Sequence, residues 1–556
     1  MSVLAVATAL SVVVAALACL PAVRSHVPRI PYISSPPLRD LPGPPSEHWF
    51  YGNLKQSDED ETPTWHGWLK TYGKVFKVHG PVGSALLIPT DFRALAHILS
   101  QATDYRRPER FRYILGKLLG PGLLTVEGDQ HKQQRRIVNP AFGPAQMRDI
   151  TSIYVEKSVE LRDRWSELLS SSQASTEASP VSFAGFADDE PNVTIEVFGW
   201  LKKMTFDVIG LAGFNYDFHA LNTALPPTEL EQALRTLLAV VEPGASILVV
   251  LQTLFPIARW IPTRRARRID AALETLRRIG GTLLEAGKDV ERELKDVAKE
   301  STGGNGRDVL SLLVKANMAS DGGTMTDAEV LAQIPTFLIA GRDTTSNAVS
   351  WALYELARHV PAQDLLRASL PPPPAEGVTM EFLNELVQLD WVVREVIRLH
   401  PPVPATSRVA TRADVIPTAE EWVDAHGCRR SGIPVAAGDE ILIPTFLLNH
   451  SPAIWGPDAL EFKPERWREV PEAARAIPGV WGNTLTFLSG PRACIGHRFA
   501  VLEMKALLYT LVRAFRFTMA VPEEAVRAKS FIQPSPHLRE KMKDGPQLPL
   551  QVSAAA

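Results

Sequence analysis

The stretch Thr486 to Gly496, TFLSGPRACIG, sets Cys494 among Phe487, Gly490, Arg492 and Gly496 at fixed offsets. The chain has 3 cysteines, Cys19, Cys428 and Cys494, far apart and in no CxxC pair, which excludes a disulfide framework and a sulfur-rich zinc site. His426 lies near Cys428 without further ligands at metal spacing. Cys494 precedes an amphipathic segment, IGHRFAVLEMKALLYTLVRAF, so its sulfur is expected at a helix N-terminus, where free N–H groups and the dipole favour a thiolate. The two glycines allow a tight turn and let a flat group approach the backbone. With Phe487 beside the sulfur and Arg492 to meet a carboxylate, the arrangement suits an iron porphyrin. A buried structural cysteine is the plainer alternative.

A second constellation lies farther back. Thr326-Asp327-Ala328-Glu329 is a capping box, and it opens an apolar helix predicted to end near His359. Roughly 33 residues rising 1.5 Å each span about 50 Å, enough to cross a domain. Pro335 removes a helical hydrogen bond, and Gly341, Asp343, Thr344 and Thr345 are poor helix formers. A local opening flanked by a carboxyl and a hydroxyl leaves room for a ligand and a proton path, whereas a merely kinked core helix is the alternative. In VVREVIRLHPP, Glu395 and Arg398 share one helical face, and FKPERW adds Arg466. Taken alone, such an ion pair is an everyday surface feature worth a few tenths of a kcal/mol.

The elements that must position these residues are mostly helical. RALAHILSQ, YVEKSVELRDRWSELLSSS, RRIDAALETLRRIGGTLLEAGKDVERELKDVAKE and RDVLSLLVKANMA carry apolar residues at spacings of three and four. KVFKVHGPVGSALLIP (Lys74 to Pro89) reads as a hairpin, and GIPVAAGDEILIPTF as short strands around a Gly-Asp turn. Ser170 to Pro180, Ser301 to Gly306 and Pro371 to Gly377 read as surface connections, and no internal repeat is evident. The expected class is mainly α with a minor β part.

With 45% hydrophobic and 22% charged residues and a net charge of -3, the chain has an ordinary globular composition and no basic character suited to nucleic acid. Residues 1–23 contain no charged side chain and are long enough, as a helix, for a bilayer's hydrocarbon layer. Arg24 and Arg29 follow the apolar run and none precedes it, which puts the body in the cytoplasm if the run is an uncleaved anchor. A cleaved signal peptide would want a basic start, although Ala16-Leu17-Ala18 resembles a cleavage site, and a buried core helix is a third reading. Residues 24–50 are proline-rich and are expected to form a stiff, extended hinge, with residues 51–556 as the catalytic body.

Phe487, Gly490, Arg492, Cys494 and Gly496 match every specified position of F-x-x-G-x-R-x-C-x-G, the haem-binding signature of the cytochrome P450 family. The resemblance extends to Ala340-Gly341-x-Asp343-Thr344-Thr345, Glu395-x-x-Arg398 and Pro464-Glu465-Arg466-Trp467, in the family's order, and with the anchor and hinge it covers nearly the whole chain. It implies a cytochrome P450 fold with a single N-terminal transmembrane helix, and haem b (iron protoporphyrin IX) with Cys494 as axial thiolate. Asp343 and Thr344 would deliver protons during dioxygen activation. Glu395, Arg398 and Arg466 would form a buried ion network holding the cysteine loop. Arg492, Arg408 and Arg135 would meet the haem propionates. His131 stands where the family's W-x-x-x-R pattern has tryptophan, and would offer a hydrogen bond to a propionate unless it is an exposed helical histidine.

No GxGxxG opens a βαβ unit, so electrons must come from another protein. The resemblance implies NADPH, used indirectly through NADPH–cytochrome P450 reductase, with cytochrome b5 as a further candidate donor. Lys132, Arg136, His497 and Arg498 are candidates for a basic docking face, an ordinary solvated surface being the alternative. The resemblance further implies an endoplasmic reticulum membrane location with the body facing the cytoplasm. YRRPERFRYILGKLLGPGLLTV, LAVVEPGASILVVLQTLF and the stretch before AGRDTT are apolar, which suits a lipophilic small molecule. The texture of the chain resembles fungal members that oxidise terpenoids or other secondary metabolites. Fatty acid or xenobiotic hydroxylation, and an isomerase or dehydratase that uses no dioxygen, are the alternatives.

Overall fold

The computed structural model describes residues 35–48, 52–53, 61–80, 84–174, 192–238, 264–297, 308–318, 324–529 and 533–555. The predicted anchor, residues 1–23, lies outside them, as do LAVVEPGASILVVLQTLF beyond its first residue and the connection Ser301 to Gly306. No helix among the described residues is long and apolar enough to cross a membrane.

The chain divides into two compact units. The smaller comprises residues 1–97 and 407–443. Its predicted hairpin is present: Val75–His79 runs antiparallel to Ala85–Pro89, with Val75 opposite Pro89. Ala85–Pro89 then pairs in parallel with Glu440–Ile443, a strand that sequence reading placed beside a Gly-Asp turn. Asp414–Val423 and Arg429–Val435 form a separate antiparallel ribbon with an irregularity between Pro417 and Trp422. The described part of the expected hinge is not extended throughout. Pro36–Arg39 is one helical turn with proline at its start, where the fixed φ suits a helix and the missing N–H costs nothing. Leu38 is buried, and the Pro42 carbonyl accepts from the Lys77 N–H, so the segment packs onto its unit.

The larger unit comprises residues 98–406 and 444–556. Six of its helices position the site: α1 (Gly128–Val138), α2 (Pro144–Ala174), α3 (Val197–Phe214), α4 (Asp327–Arg358), α5 (Val387–Leu399) and α6 (His497–Ala514). The helices expected in RRIDAALETLRRIGGTLLEAGKDVERELKDVAKE and RDVLSLLVKANMA are formed, as Arg264–Val297 and Val309–Met318. α2 continues to Ala174, into the stretch expected to be a loop from Ser170. A three-stranded antiparallel sheet of Val193–Glu196, Pro549–Ala554 and Phe515–Met519 lies in this unit, with Leu550 opposite both Ile195 and Met519.

The capping box at the start of α4 is formed: Glu329 N–H donates to Thr326 Oγ1 at 3.3 Å, and Thr326 N–H donates to Glu329 Oε2 at 2.9 Å. α4 stays helical through Pro335 and through AGRDTT, so the expected opening is not a break. Burial explains this. Twenty-one of its residues are buried, all of them outside 339–344, and this packing on both sides outweighs the weak intrinsic propensity between. Gly341 serves that packing, because a Cβ there would stand 2.9 Å from Ile209 Cδ1 on α3. α6 is likewise buried along its length, and Phe499 meets Tyr154 of α2 edge to face at 5.1 Å.

Candidate active site

The cysteine loop is a series of tight turns feeding α6. Gly490 has φ +68, and a Cβ at this position would lie 2.2 Å from the Leu99 carbonyl oxygen, so only glycine fits. Gly496 differs from the expectation for it: its φ is -90, and a Cβ would meet Phe142 at an ordinary 3.7 Å. Leu488 adopts φ +57, held by its N–H to the Leu485 carbonyl and by its own carbonyl, which accepts from Val480. Cys494 N–H donates to the Phe487 carbonyl at 2.9 Å, which closes the loop around the sulfur. Phe487 packs edge to face against Trp481.

The Cys494 side chain is accessible, yet protein atoms surround it closely. Burial pushes its thiol up, and the Gly496 N–H and the Arg135 guanidinium act in the opposite direction. The predicted thiolate-favouring groups are therefore present, but desolvation outweighs them for the free thiol.

Beside this loop α1 presents His131 and Arg135. Arg135 donates to the Ala493 carbonyl at 2.7 Å. His131 is buried, which overturns the reading as an exposed helical histidine. Burial, followed by Arg492, Arg107 and Arg135, holds its pKa down at about 3, so it is a neutral imidazole at physiological pH. A neutral ring among three guanidinium groups suits a bound anion. Arg492 is buried and donates to the carbonyls of Leu123 and Val126 and to the Glu127 carboxylate. Sequence reading did not anticipate Glu127, which sits at the start of α1 without any spacing signal toward Arg492. Arg408 belongs to the smaller unit, where it is buried on Thr406–Ala410 and donates to the Ser407 carbonyl.

Next to Pro491 of the cysteine loop, His131, Lys132, Arg135, Arg136, Asn139 and Pro140 line an open groove of about 540 Å³. It carries cationic side chains and no acid. Lys132, Arg136 and Arg498 are exposed, and His497 is half-buried.

Glu395 and Arg398 are fully buried, unlike the surface pair that the spacing alone would suggest. Arg398 binds both carboxylate oxygens, Nε to Oε2 at 2.9 Å and Nη2 to Oε1 at 2.8 Å. Arg466 Nε donates to Oε1 at 2.9 Å and Trp467 Nε1 to Oε2 at 3.0 Å. The remaining guanidinium donors of Arg398 reach the carbonyls of Asn449, Ala459 and Glu461. Those of Arg466 reach Trp455 and Asp458. Lys463 and Arg466 hold the Asp458 carboxyl down at about 2. Asn449 then donates to Thr486 Oγ1, and Thr486 donates to the Ile397 carbonyl, which joins the network to the residue before Phe487. Neither Asn449 nor Thr486 stands out in the sequence.

On α4, Asp343 is largely buried, and its Oδ1 has no hydrogen-bond partner among the described residues. Arg342 at 3.7 Å and Lys202 of α3 at 3.9 Å are its ionic neighbours. Thr344 donates to the Ala340 carbonyl at 2.6 Å. The carbonyls of Arg342 and Asp343 accept from Thr205 and Gln533, so this turn draws several side-chain donors onto its backbone.

A mainly helical body, a cysteine loop joined to a buried Glu-x-x-Arg network, and an acid and an alcohol side by side on a central helix agree with the resemblance to the cytochrome P450 family. The cytochrome P450 family model matches residues 42–539, and the chain belongs to that family. It is similar to cytochrome P450 monooxygenase 205 of Postia placenta, 46% identical over 556 residues and 99% of each chain. It is also similar to monooxygenase 128 of the same fungus, 43% identical over 94% of this chain and 93% of the other. Monooxygenase claW of Ampulloclitocybe clavipes is 33% identical over 92% of each chain. All three are named as monooxygenases, and the chain is an enzyme of that type, for which the family implies a haem-thiolate centre.

Proposed function

We propose that this enzyme inserts one oxygen atom of dioxygen into a lipophilic small molecule, a terpenoid or another secondary metabolite, with Cys494 as the axial ligand of haem b. The presentation of the Cys494 thiol at the head of α6, facing Arg135 and capped by the Gly496 N–H, carries the reading. The residues present fit the group. The thiol is accessible within a closely packed loop, Gly490 lets that loop reach the Leu99 backbone, and neutral His131 among arginines suits a propionate. Haem, when bound, would supply an iron that deprotonates this sulfur and the redox chemistry that activates dioxygen.

The chain's own residues would do the rest. Arg135 and His131 would hold a propionate, and Arg408 is proposed for the same task on the family resemblance alone. Arg492 would fix the 123–127 segment to the cysteine loop as well as lending positive charge, since several of its donors already grip that backbone. Asp343, whose Oδ1 accepts no hydrogen bond among the described residues, would relay a proton that Thr344 passes on by releasing the Ala340 carbonyl. Glu395, Arg398 and Arg466 would keep the loop in place.

Electrons would come from NADPH through a cytochrome P450 reductase, with cytochrome b5 as a further candidate. Exposed Lys132 and Arg136, with His497 and Arg498 near the cysteine loop, are suited to an acidic flavin domain. Residues 1–23 would anchor the chain in the endoplasmic reticulum membrane with the body in the cytoplasm. Fatty acid or xenobiotic hydroxylation is the competing substrate reading, and an isomerase or dehydratase would have no use for the Asp343–Thr344 pair.

Co-expression with a reductase and neighbouring biosynthetic enzymes, under isotopically labelled dioxygen, tests the proposal. Mass spectrometry should find one labelled oxygen in a terpenoid-sized product. Label from water alone would exclude the monooxygenase reading, and labelled fatty acids would replace the substrate class.

A further inference from the structure

Glu503 lies on α6, the helix that Cys494 leads into, and is completely buried. Neither of its carboxylate oxygens has a hydrogen-bond partner among the described residues. Two more orphaned polar atoms neighbour it. Thr345 Oγ1 on α4 and Tyr154 Oη on α2 are both buried and have no partner at ordinary hydrogen-bond geometry among the described residues. Phe499, one turn before Glu503 on α6, meets the Tyr154 ring edge to face at 5.1 Å, and the Thr345 hydroxyl is within reach of the Glu503 carboxyl, whose ionisation it eases.

The chemistry of the trio is complementary. Burial pushes the carboxyl well above the usual range, with no cation among the groups that act on it, which favours its neutral form. A neutral carboxyl offers one O–H donor and acceptor lone pairs, and each hydroxyl offers both functions. Slight rotamer changes would let three helices satisfy one another with a closed set of bonds. Leaving four buried polar atoms unmet is uncommon in a folded protein. A threonine in a helix ordinarily donates back to its own preceding turn, as Thr344 does; Thr345 has no such bond.

We propose that Glu503, Thr345 and Tyr154 form a buried hydrogen-bonded triad that fixes α6, and with it the Cys494 loop, against α4 and α2. Glu503 is then a positioning residue. It sets the thiol relative to the helix that carries Asp343 and Thr344, and takes no part in the chemistry itself. The inference rests on Cys494 as haem ligand.

The full-length holoenzyme would be prepared as wild type, Thr345→Val, Tyr154→Phe, Glu503→Gln, Glu503→Leu and the Thr345→Val/Glu503→Leu double variant. Two readouts are the ratio of long- to short-wavelength ferrous–CO Soret bands, which reports intact thiolate ligation, and the infrared C=O stretch of a protonated carboxyl. Glu503→Gln, which can still donate and accept, should keep the wild-type band ratio and lose the infrared signal. Thr345→Val and Tyr154→Phe should each raise the short-wavelength fraction several-fold, and the double variant should be no worse than Glu503→Leu. Wild-type ratios in both Thr345→Val and Tyr154→Phe would overturn the triad, as would an infrared signal unchanged by Glu503→Gln. If Glu503→Leu does not fold, the two hydroxyl deletions, which preserve shape, decide alone. Cys494→Ala, measured alongside, tests the ligand assignment separately, and the infrared arm stands whatever its outcome.

Discussion

Asn449 donates through Nδ2 to the Thr486 hydroxyl at 3.0 Å, while its own carbonyl accepts from Arg398 Nη1 at 2.7 Å. One asparagine thus joins the buried ion network to the cysteine loop, and Thr486 returns the link to α5 through the Ile397 carbonyl at 2.9 Å. Thr486→Val keeps the shape and removes both bonds. It should cost about 1–3 kcal/mol of stability, because the Asn449 amide loses its acceptor in the interior. Denaturant unfolding measures the loss, and the ferrous–CO spectrum should show weaker thiolate ligation at the same time.

Glu395→Gln leaves the buried Arg398 guanidinium with no counter-charge and Arg466 with Asp458 alone. Removing one partner of a buried ion pair costs about 3–5 kcal/mol, far more than a surface pair is worth. The variant should accumulate as poorly folded protein with little haem. Soluble yield together with the haem-to-protein absorbance ratio checks this, and a yield equal to wild type would contradict it.

The two glycines of the cysteine signature should respond differently. Gly490→Ala forces a side chain into φ +68 and onto the Leu99 carbonyl, so it should cost at least about 1 kcal/mol of strain and clash. Gly496→Ala meets only an ordinary contact with Phe142 inside the protein and should leave the apoprotein melting temperature nearly unchanged. A reduced haem affinity in Gly496→Ala alone would place its role at the cofactor face. Calorimetry and haem titration separate the two effects.

Asp207 on α3 is buried, and its carboxyl oxygens accept from the Ala220 and Leu221 N–H groups at 2.8 and 3.0 Å. Burial outweighs those bonds and raises its pKa to about 6. A raised folded pKa makes its stabilising contribution full below the unfolded value of about 3.9 and lost as pH rises through about 6. The change amounts to about 3 kcal/mol. Between about pH 4 and pH 7, wild type should therefore lose stability relative to Asp207→Asn. Urea unfolding of both proteins across that range measures it, and parallel curves would refute it.

Asp343→Asn should lower kcat by roughly 10²-fold, the order expected for losing a positioned proton donor, with little change in substrate affinity. Stopped-flow turnover and substrate-induced spectral titration separate the two constants. A loss confined to substrate affinity would instead assign Asp343 to packing beside Lys202 and Arg342.

Much of this was legible in the chain because it is local. The capping box at Thr326, the hairpin at Val75–His79, the helical periodicity and the cysteine signature depend on residues a few positions apart, and short-range sterics and hydrogen bonding fix them. The hinge was read as fully extended because proline was weighed as a breaker, whereas Pro36 at a first turn starts a helix. AGRDTT was read as an opening because local propensity is weak there, whereas the buried turns of α4 on either side and the close approach of Ile209 to Gly341 hold the helix together.

The sequence by itself determined the family, the mainly helical class and the residue types around Cys494, since these follow from composition and short spacings. Only the tertiary structure decided that Glu395 and Arg398 are interior, that Arg492 is held by Glu127, that His131 is a buried neutral ring, and that Glu503 is a fully buried carboxyl. Each of those facts depends on desolvation and on partners far away along the chain. Burial and long-range pairing have no signature in local spacing, so they emerge only when the helices pack.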